Sequence, residues 1–372
     1  MSPDPARPPA GETGPNLLYS DTDEALRASV RALLDDRADV PALLERAEAG
    51  DPYDRGLWEA LGTGIGAAGL LVPEALGGQG ASHREAAVVL EEVGRAVTPA
   101  PVLTGCVIAT ETLLALDTGR ADVAGLLAGI AAGRTTAVLA VPFSAGPYAP
   151  PPPPADGRIT GVADATVADV LLVPRPDGLY AVDAADALVE PLTVLDLTRP
   201  LAAVTCPAGA GTRLGHPADA DPAVRRGLLA GAGLLASEQL GVAEWCLEAT
   251  VRHTRERRQF NRPVGSFQAL KHRMARLWLE LVSARAAARN AADALATGAP
   301  DLAVAVAVAQ AYVSGTAVRA AEECVQLHAG IAMTWEHPAH LYLKRAKSAQ
   351  LALGSPGAHR AQLAELIPLP AP

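Results

Sequence analysis

The chain has 372 residues, more than one ordinary core can serve, so two or three packed units sharing an interface are expected. Hydrophobic residues make up 49% but aromatics only 3%, which leaves Ala, Leu and Val to build the core. A net charge of −10 argues against a nucleic-acid or anionic-membrane surface, while a basic patch near 252–262 on so acidic a chain points to one specific anion rather than a polyanion.

Residues 1–18 are polar and Pro-rich with no apolar signal-peptide region, and they read as a disordered arm. Residues 19–130 read as a helical domain: "TDEALRASVRALLDD" follows a Thr/Asp cap with apolar residues at three- and four-residue spacing, and "HREAAVVLEEVGRAV" repeats the pattern. Between them "LWEALGTGIGAAGLLVPEALGGQGAS" adds helix, a Gly-rich turn and a Pro. Residues 131–218 change to short β-rich runs, "TTAVLAV", "GRITG", "DVLLVP", "GLYAVDA" and "AAVTCPA", the pattern of a small β domain. Five consecutive prolines at 150–154 demand an extended loop. Residues 219–372 return to helices, predicted over 222–256, 266–297, 301–327 and 338–351, and their short connections imply an antiparallel four-helix bundle. The fold class is therefore α+β, mainly α. Cys106, Cys206, Cys246 and Cys324 are widely spaced, which suits neither a disulfide framework nor a zinc site and fits a reducing cytoplasm. No alanine-rich run reads as a bilayer span, so a soluble protein is expected.

The segment "RRQFNRPVGSFQ" (257–268) on its own reads as a polar inter-helix loop with two Phe anchors. Set within helices, a β domain and a bundle, it resembles the R-x-x-F-G-x-P-[IV]-x-x-F-Q segment of the acyl-CoA dehydrogenase family. "QLHAGIAMTWEHP" (326–338) is similar to that family's Q-x-x-G-G-x-G segment, and "GLLVPEALGGQGAS" (69–82) and "VVLEEVGRAVTPAPVL" (88–103) are similar to its N-terminal domain. The resemblance covers most of the chain.

What it implies is FAD held across a subunit boundary, with Arg257, Phe260 and Gln268 reaching the ADP half from one subunit, and Gln326 and Gly330 from the neighbour. Ser355 stands where a flavin-contacting Thr is usual. A diphosphate suits a bidentate guanidinium and glycine backbone that it can approach closely. Such a site needs an oligomer. The departures are Ala329 and Ala332 for family glycines, two extra methyl groups near the phosphates, and Asn261 for a third, a mild change because Asn tolerates left-handed backbone.

The family reaction removes a proton from the α-carbon of an acyl-CoA with a carboxylate, while hydride leaves the β-carbon for the flavin. The usual base position is here Leu353, and the alternative position near the start of the first bundle helix falls near Gly231. Glu238 is the nearest carboxylate, but seven helical residues shift it by roughly 10 Å, and pairing inside the bundle is the expected role. Glu336 is expected to stabilise the fold. Pro142 and Phe143 replace the Thr-Glu pair that holds the flavin ring, and "ITGVADATVADVLLV" lacks the family's Lys and aromatic. His337 and His340 flank Pro338 without further ligands, so no metal is expected; His328 reads as a loop or interface histidine, and Trp278 and Trp335 as core or interface fillers.

Three functions follow from these residues. The first is a subunit that lacks the base and pairs with an active homologous chain, a type whose tail "TWEHPAHLYLKRAKSA" resembles, and which is known from oxidation of bulky acyl-CoAs such as steroid side chains. The second is a self-sufficient FAD-dependent enzyme with a relocated base, and the third a non-redox acyl-binding or structural homo-oligomer. Retention of Arg257 and Gln268 favours either flavin-linked reading, and loss at Leu353, Pro142 and Phe143 favours the first. An acyl-CoA substrate is implied, with electron-transfer flavoprotein as a candidate acceptor.

Overall fold

The computed structural model describes residues 17–154 and 156–367, so the arm expected over 1–18 lies outside the described residues except for Leu17 and Leu18. α1 (Asp21–Arg37) starts one turn earlier than the Thr/Asp pair suggests. Ser20 is its cap, accepting from the N–H of Asp23 while the Asp23 carboxylate accepts from the N–H of Ser20. α2 (Val40–Glu48), α3 (Arg55–Glu59) and α4 (His83–Arg95) follow, the last closed by the same device between Ser82 and Glu85. A π-helical segment, Val102–Ala109, runs into α5 (Thr110–Leu114), and α6 (Ala121–Ala131) completes the set.

Seven strands then form two sheets. β1 (Ala137–Leu139), β3 (Val170–Arg175), β4 (Gly178–Asp183) and β7 (Thr212–Gly215) make one, with β1 and β3 parallel and the rest antiparallel. β2 (Arg158–Ala163), β6 (Leu201–Thr205) and β5 (Leu188–Pro191) make the other. A small core between the sheets is built from Val138, Ile159, Val162, Leu171, Val182 and Val204. β5 and β7 are absent from the sequence reading because both are short edge strands, half-solvated and without apolar alternation. Prolines 150–154 take neither helix nor strand, as expected.

α7 (Pro217–Glu256), α8 (Gln268–Thr297), α9 (Leu302–His328) and α10 (Ala339–Leu351) form the bundle, and a further helix, α11 (Pro356–Leu366), packs on α9. α7 is 40 residues and roughly 60 Å long. It begins five residues before the predicted start because Pro217 occupies the first turn, where a missing N–H is harmless; Pro222 is tolerated farther in. α4 and α7 press backbone against backbone. A Cβ at Gly94 would lie 2.1 Å from the Glu238 carbonyl oxygen, and one at Gly241 would lie 1.9 Å from that of Glu91, so both positions require glycine. The segment Leu302–Met333 is long and apolar enough to cross a membrane by length and composition, although it carries Arg319, Glu322 and Glu323. It owes that character to its place inside the bundle, packed against α7, α8, α10 and α11.

Candidate functional site

α7 and α9 run in the same direction, so their C-terminal turns meet at one end of the bundle. The α7–α8 link there is a hairpin, β8 (Arg258–Gln259) with β9 (Arg262–Pro263), closed by the two residues Phe260 and Asn261 at φ 50° and 61°. Two consecutive left-handed residues make the mirror-image turn that matches strand twist. Asn261 suits it; Phe260 does not, and is nevertheless 84% exposed, with its ring edge toward Phe267 at 6.1 Å. The hairpin and the last turn of α9 enclose a groove of about 730 Å³ lined by Arg257, Phe260, Phe267, Gln326, Ala329 and Gly330 among others.

Four of the six expected cofactor residues thus come together, and on one chain. The parallel course of α7 and α9 brings Arg257 and Gln326 to the same groove within one chain. Gln268 opens α8 beside Phe267 but does not line the groove. Ser355 lies apart: it caps α11, its hydroxyl accepting from the N–H of Ala358 at 3.3 Å.

The groove fits the ADP half of a dinucleotide. Arg257 has no carboxylate partner among the described residues, leaving its guanidinium for an anion. Ala329 adopts φ 57°, ψ −142°, a conformation that L residues rarely take and glycine takes readily. The space over Gly330 is open for 4 Å. Ala332 is fully buried and outside the lining, so only one of the two extra methyl groups faces a ligand.

The family's two base positions are closed off. Leu353 is 1% exposed, donates its N–H to the Phe143 carbonyl at 2.8 Å and accepts from Nε2 of His359 at 3.0 Å. A Cβ at Gly231 would fall 3.2 Å from Cδ1 of Leu353, so the two family base positions converge on one spot, and neither holds a carboxylate. Thr104, Ile108, Leu139, Phe143, Leu228 and Leu353 surround a cavity of about 20 Å³, room for one water at most.

Glu238 is buried and paired. Its carboxylate accepts from Arg199 and lies 3.3 Å from Nε of Arg345. Burial pushes its pKa up, but the two guanidinium charges win and hold it below the usual carboxylate value. Arg345 also donates to the Thr98 and Thr198 carbonyls at 3.1 and 3.3 Å and sits 3.5 Å from Asp196. Asp164, which burial pushes up, accepts from Tyr53 and Thr104 hydroxyls, both at 2.6 Å. This network ties the helical, β and bundle regions together beside the closed cavity. The sequence reading missed all of it except Glu238.

Other expectations change. Glu336 is exposed and makes no ion pair among the described residues, so it does not stabilise the fold as expected. His328 is the last residue of α9 rather than part of a loop, and it is buried. Trp278 and Trp335 are 59% and 57% exposed, so neither fills the core. Trp278 shares an outward apolar face of α8 with Leu279 and Val282.

Helices, a two-sheet β unit and a helical bundle with an anion groove at one end define the architecture of a flavin-linked dehydrogenase. The sequence profile of the acyl-CoA dehydrogenase N-terminal domain matches residues 20–122, and that of its C-terminal domain matches 222–367. An acyl-CoA dehydrogenase of Mycolicibacterium smegmatis, IpdE2, is 38% identical over 91% of this chain and 96% of its own; its Mycobacterium tuberculosis namesake is 36% identical over 90% and 93%. A variant of the Tcur3481–Tcur3483 steroid ACAD superposes with TM-score 0.81 at 30% identity, covering 93% of this chain and 97% of its own. The ChsE4–ChsE5 complex of M. tuberculosis has the same fold, TM-score 0.83 at 24% identity, with 96% and 100% covered. The chain belongs to the acyl-CoA dehydrogenase family.

Proposed function

We propose that this chain is the subunit of a heteromeric acyl-CoA dehydrogenase that contributes an ADP-binding groove and no catalytic base, a homologous chain carrying out α,β-dehydrogenation of the acyl-CoA. One contrast carries the reading: the groove at the bundle end is open, about 730 Å³ with Arg257 free of a carboxylate partner among the described residues, while the cavity at Leu353, the family's base position, is about 20 Å³. A self-sufficient enzyme needs both halves open, and a scaffold needs neither.

FAD, where bound, accepts the hydride. This chain's part is binding and orientation. The Arg257 guanidinium would neutralise the diphosphate, Gln326 would supply an amide, and the backbone at Ala329–Gly330 would allow close approach. The two-component steroid ACAD among its relatives supports a paired assembly and suggests a bulky acyl-CoA as the substrate class. The exposed Trp278, Leu279 and Val282 on α8 offer a surface for the second chain.

The visible absorption of the protein purified alone, and again with its co-expressed homologue, tests this. No flavin in the lone chain and about one FAD per two chains in the complex are expected, because this chain supplies only the ADP half of the site and its homologue the rest. One FAD per chain with turnover in the lone protein would refute it.

A further inference from the structure

The same end of the bundle carries a feature that diphosphate binding by Arg257 does not explain. Three imidazoles stack in a row: His253 and His328 with ring centroids 4.3 Å apart, His328 and His337 4.4 Å apart. They come from the last turn of α7, the last residue of α9 and the link into α10. His253 and His328 line the groove beside Arg257.

The surroundings let one ring of the three carry a charge. Nδ1 of His328 lies 2.7 Å from the Cys324 carbonyl and 3.5 Å from the Cys324 sulfur. Burial lowers the His328 pKa, but these contacts outweigh it and hold the ring above the ordinary histidine value, with Arg252 opposing. Its neighbours are held down. For His253 the causes are burial, then the charges of His328 and Arg257, with Glu256 working the other way. His337 is pushed down to about 4 by burial and then by His328, His253, His340 and Arg252. On the inner side stand the buried thiols of Cys246 and Cys324; at the groove's edge, Arg273 is engaged by Glu323. Arg252 and Arg257 have no carboxylate partner among the described residues. The Cys324 sulfur, whose pKa the contacts with Cys246 and then His328 pull down to about 5, sets negative charge against His328, while His253 and His337 face mainly positive neighbours.

We propose that the His253–His328–His337 stack is the proton-accepting wall of the groove's anion site, so that a bound dinucleotide diphosphate draws a further proton onto the row and binds more tightly as the pH falls. This rests on the reading of the groove as a diphosphate site and adds its regulation. A dinucleotide diphosphate is a dianion with no group of its own that titrates near neutrality, so any linked proton belongs to the protein. Negative charge brought against two neutral rings favours their charged form. Between the free and bound pKa values binding takes up a proton, and affinity rises with acidity there.

The test is calorimetric titration of the full chain with ADP-ribose, which carries the diphosphate without a flavin ring. Titrations near pH 6.5 in two buffers of different ionisation enthalpy count the protons, and a series from about pH 8 to about pH 5.5 gives the affinities. Uptake of up to about half a proton per ligand, with up to about tenfold tighter binding at the acid end, is expected for a one-unit rise in a histidine pKa. Binding without uptake and with flat affinity overturns the proposal but leaves the groove reading intact. No binding at any pH overturns both. The double variant His253→Gln, His337→Gln is expected to bind at the alkaline end and to lose the uptake; a folded variant that keeps the uptake overturns the proposal. Should that variant fail to fold, the two-buffer measurement on the unaltered chain decides alone.

Discussion

Ala329 shows how a single residue can look like a loss in sequence and keep the geometry in space. Its letter departs from the family glycine, yet φ 57° and ψ −142° are the backbone angles glycine would supply. Holding a Cβ there costs of order 1–3 kcal/mol, whereas glycine loses up to about 1 kcal/mol more chain entropy on folding. Ala329→Gly is therefore expected to stabilise the protein by about 1 kcal/mol in urea unfolding. A destabilised variant would mean that the backbone leaves this conformation. Arg257, Gln326 and Gly330 were legible in the sequence because their side chains, or the lack of one, carry the chemistry. Ser355 reads two ways: Ser followed by Pro is also the signature of a helix cap, and its hydroxyl accepts from the N–H of Ala358. Residue type alone does not separate those uses.

Helices were legible to within a few residues wherever apolar spacing persisted over several turns, and the two missed strands are short edges with no such pattern. The contacts between elements were not legible. Arg345 on α10 reaches Glu238 on α7, Asp196 between β5 and β6, and the Thr98 carbonyl beyond α4, partners up to 247 residues away. No local spacing encodes such a cluster. Arg345→Met should destabilise the fold by about 3–5 kcal/mol, because it leaves buried carboxylates short of a counter-charge. The pH dependence fixes the cause. The folded protein holds Glu238 below its ordinary 4.5, so its pairing stabilises the fold above that pH and is lost as the pH falls through the lower folded value. The gap between Arg345→Met and the unaltered protein should be widest above pH 4.5 and narrow on further acidification. A gap independent of pH would assign the loss to packing alone.

Across the molecule, the three textures of the sequence gave the three regions, because each region's period and turn residues are local properties. What they could not give is the state of the junction where the regions meet. Leu353 belongs to the turn after α10, Phe143 to the segment after β1, Ile108 to the π-helical segment before α5 and Leu228 to α7, and together they leave about 20 Å³. Catalysis there needs a carboxylate, space for an acyl chain and donors for the flavin ring, and each must come from a different region. Restoring one is therefore insufficient. Leu353→Glu places the carboxylate at the family position but buries it against Ile108 and Phe143, where the nearby Arg199, 5.2 Å from the centre of the Phe143 ring, is already engaged by Glu238. An unpaired carboxyl in that setting is expected to titrate well above the usual range and to cost several kcal/mol when ionised. The lone variant should show no acyl-CoA-dependent dye reduction and should be less stable at neutral pH than at mildly acid pH, as followed by circular dichroism during urea unfolding. Turnover in that single variant would show that the junction opens on its own and that the chain is one substitution from a complete enzyme. Its absence, together with an acid-favoured stability, would locate the loss of activity in the closed junction rather than in one missing residue.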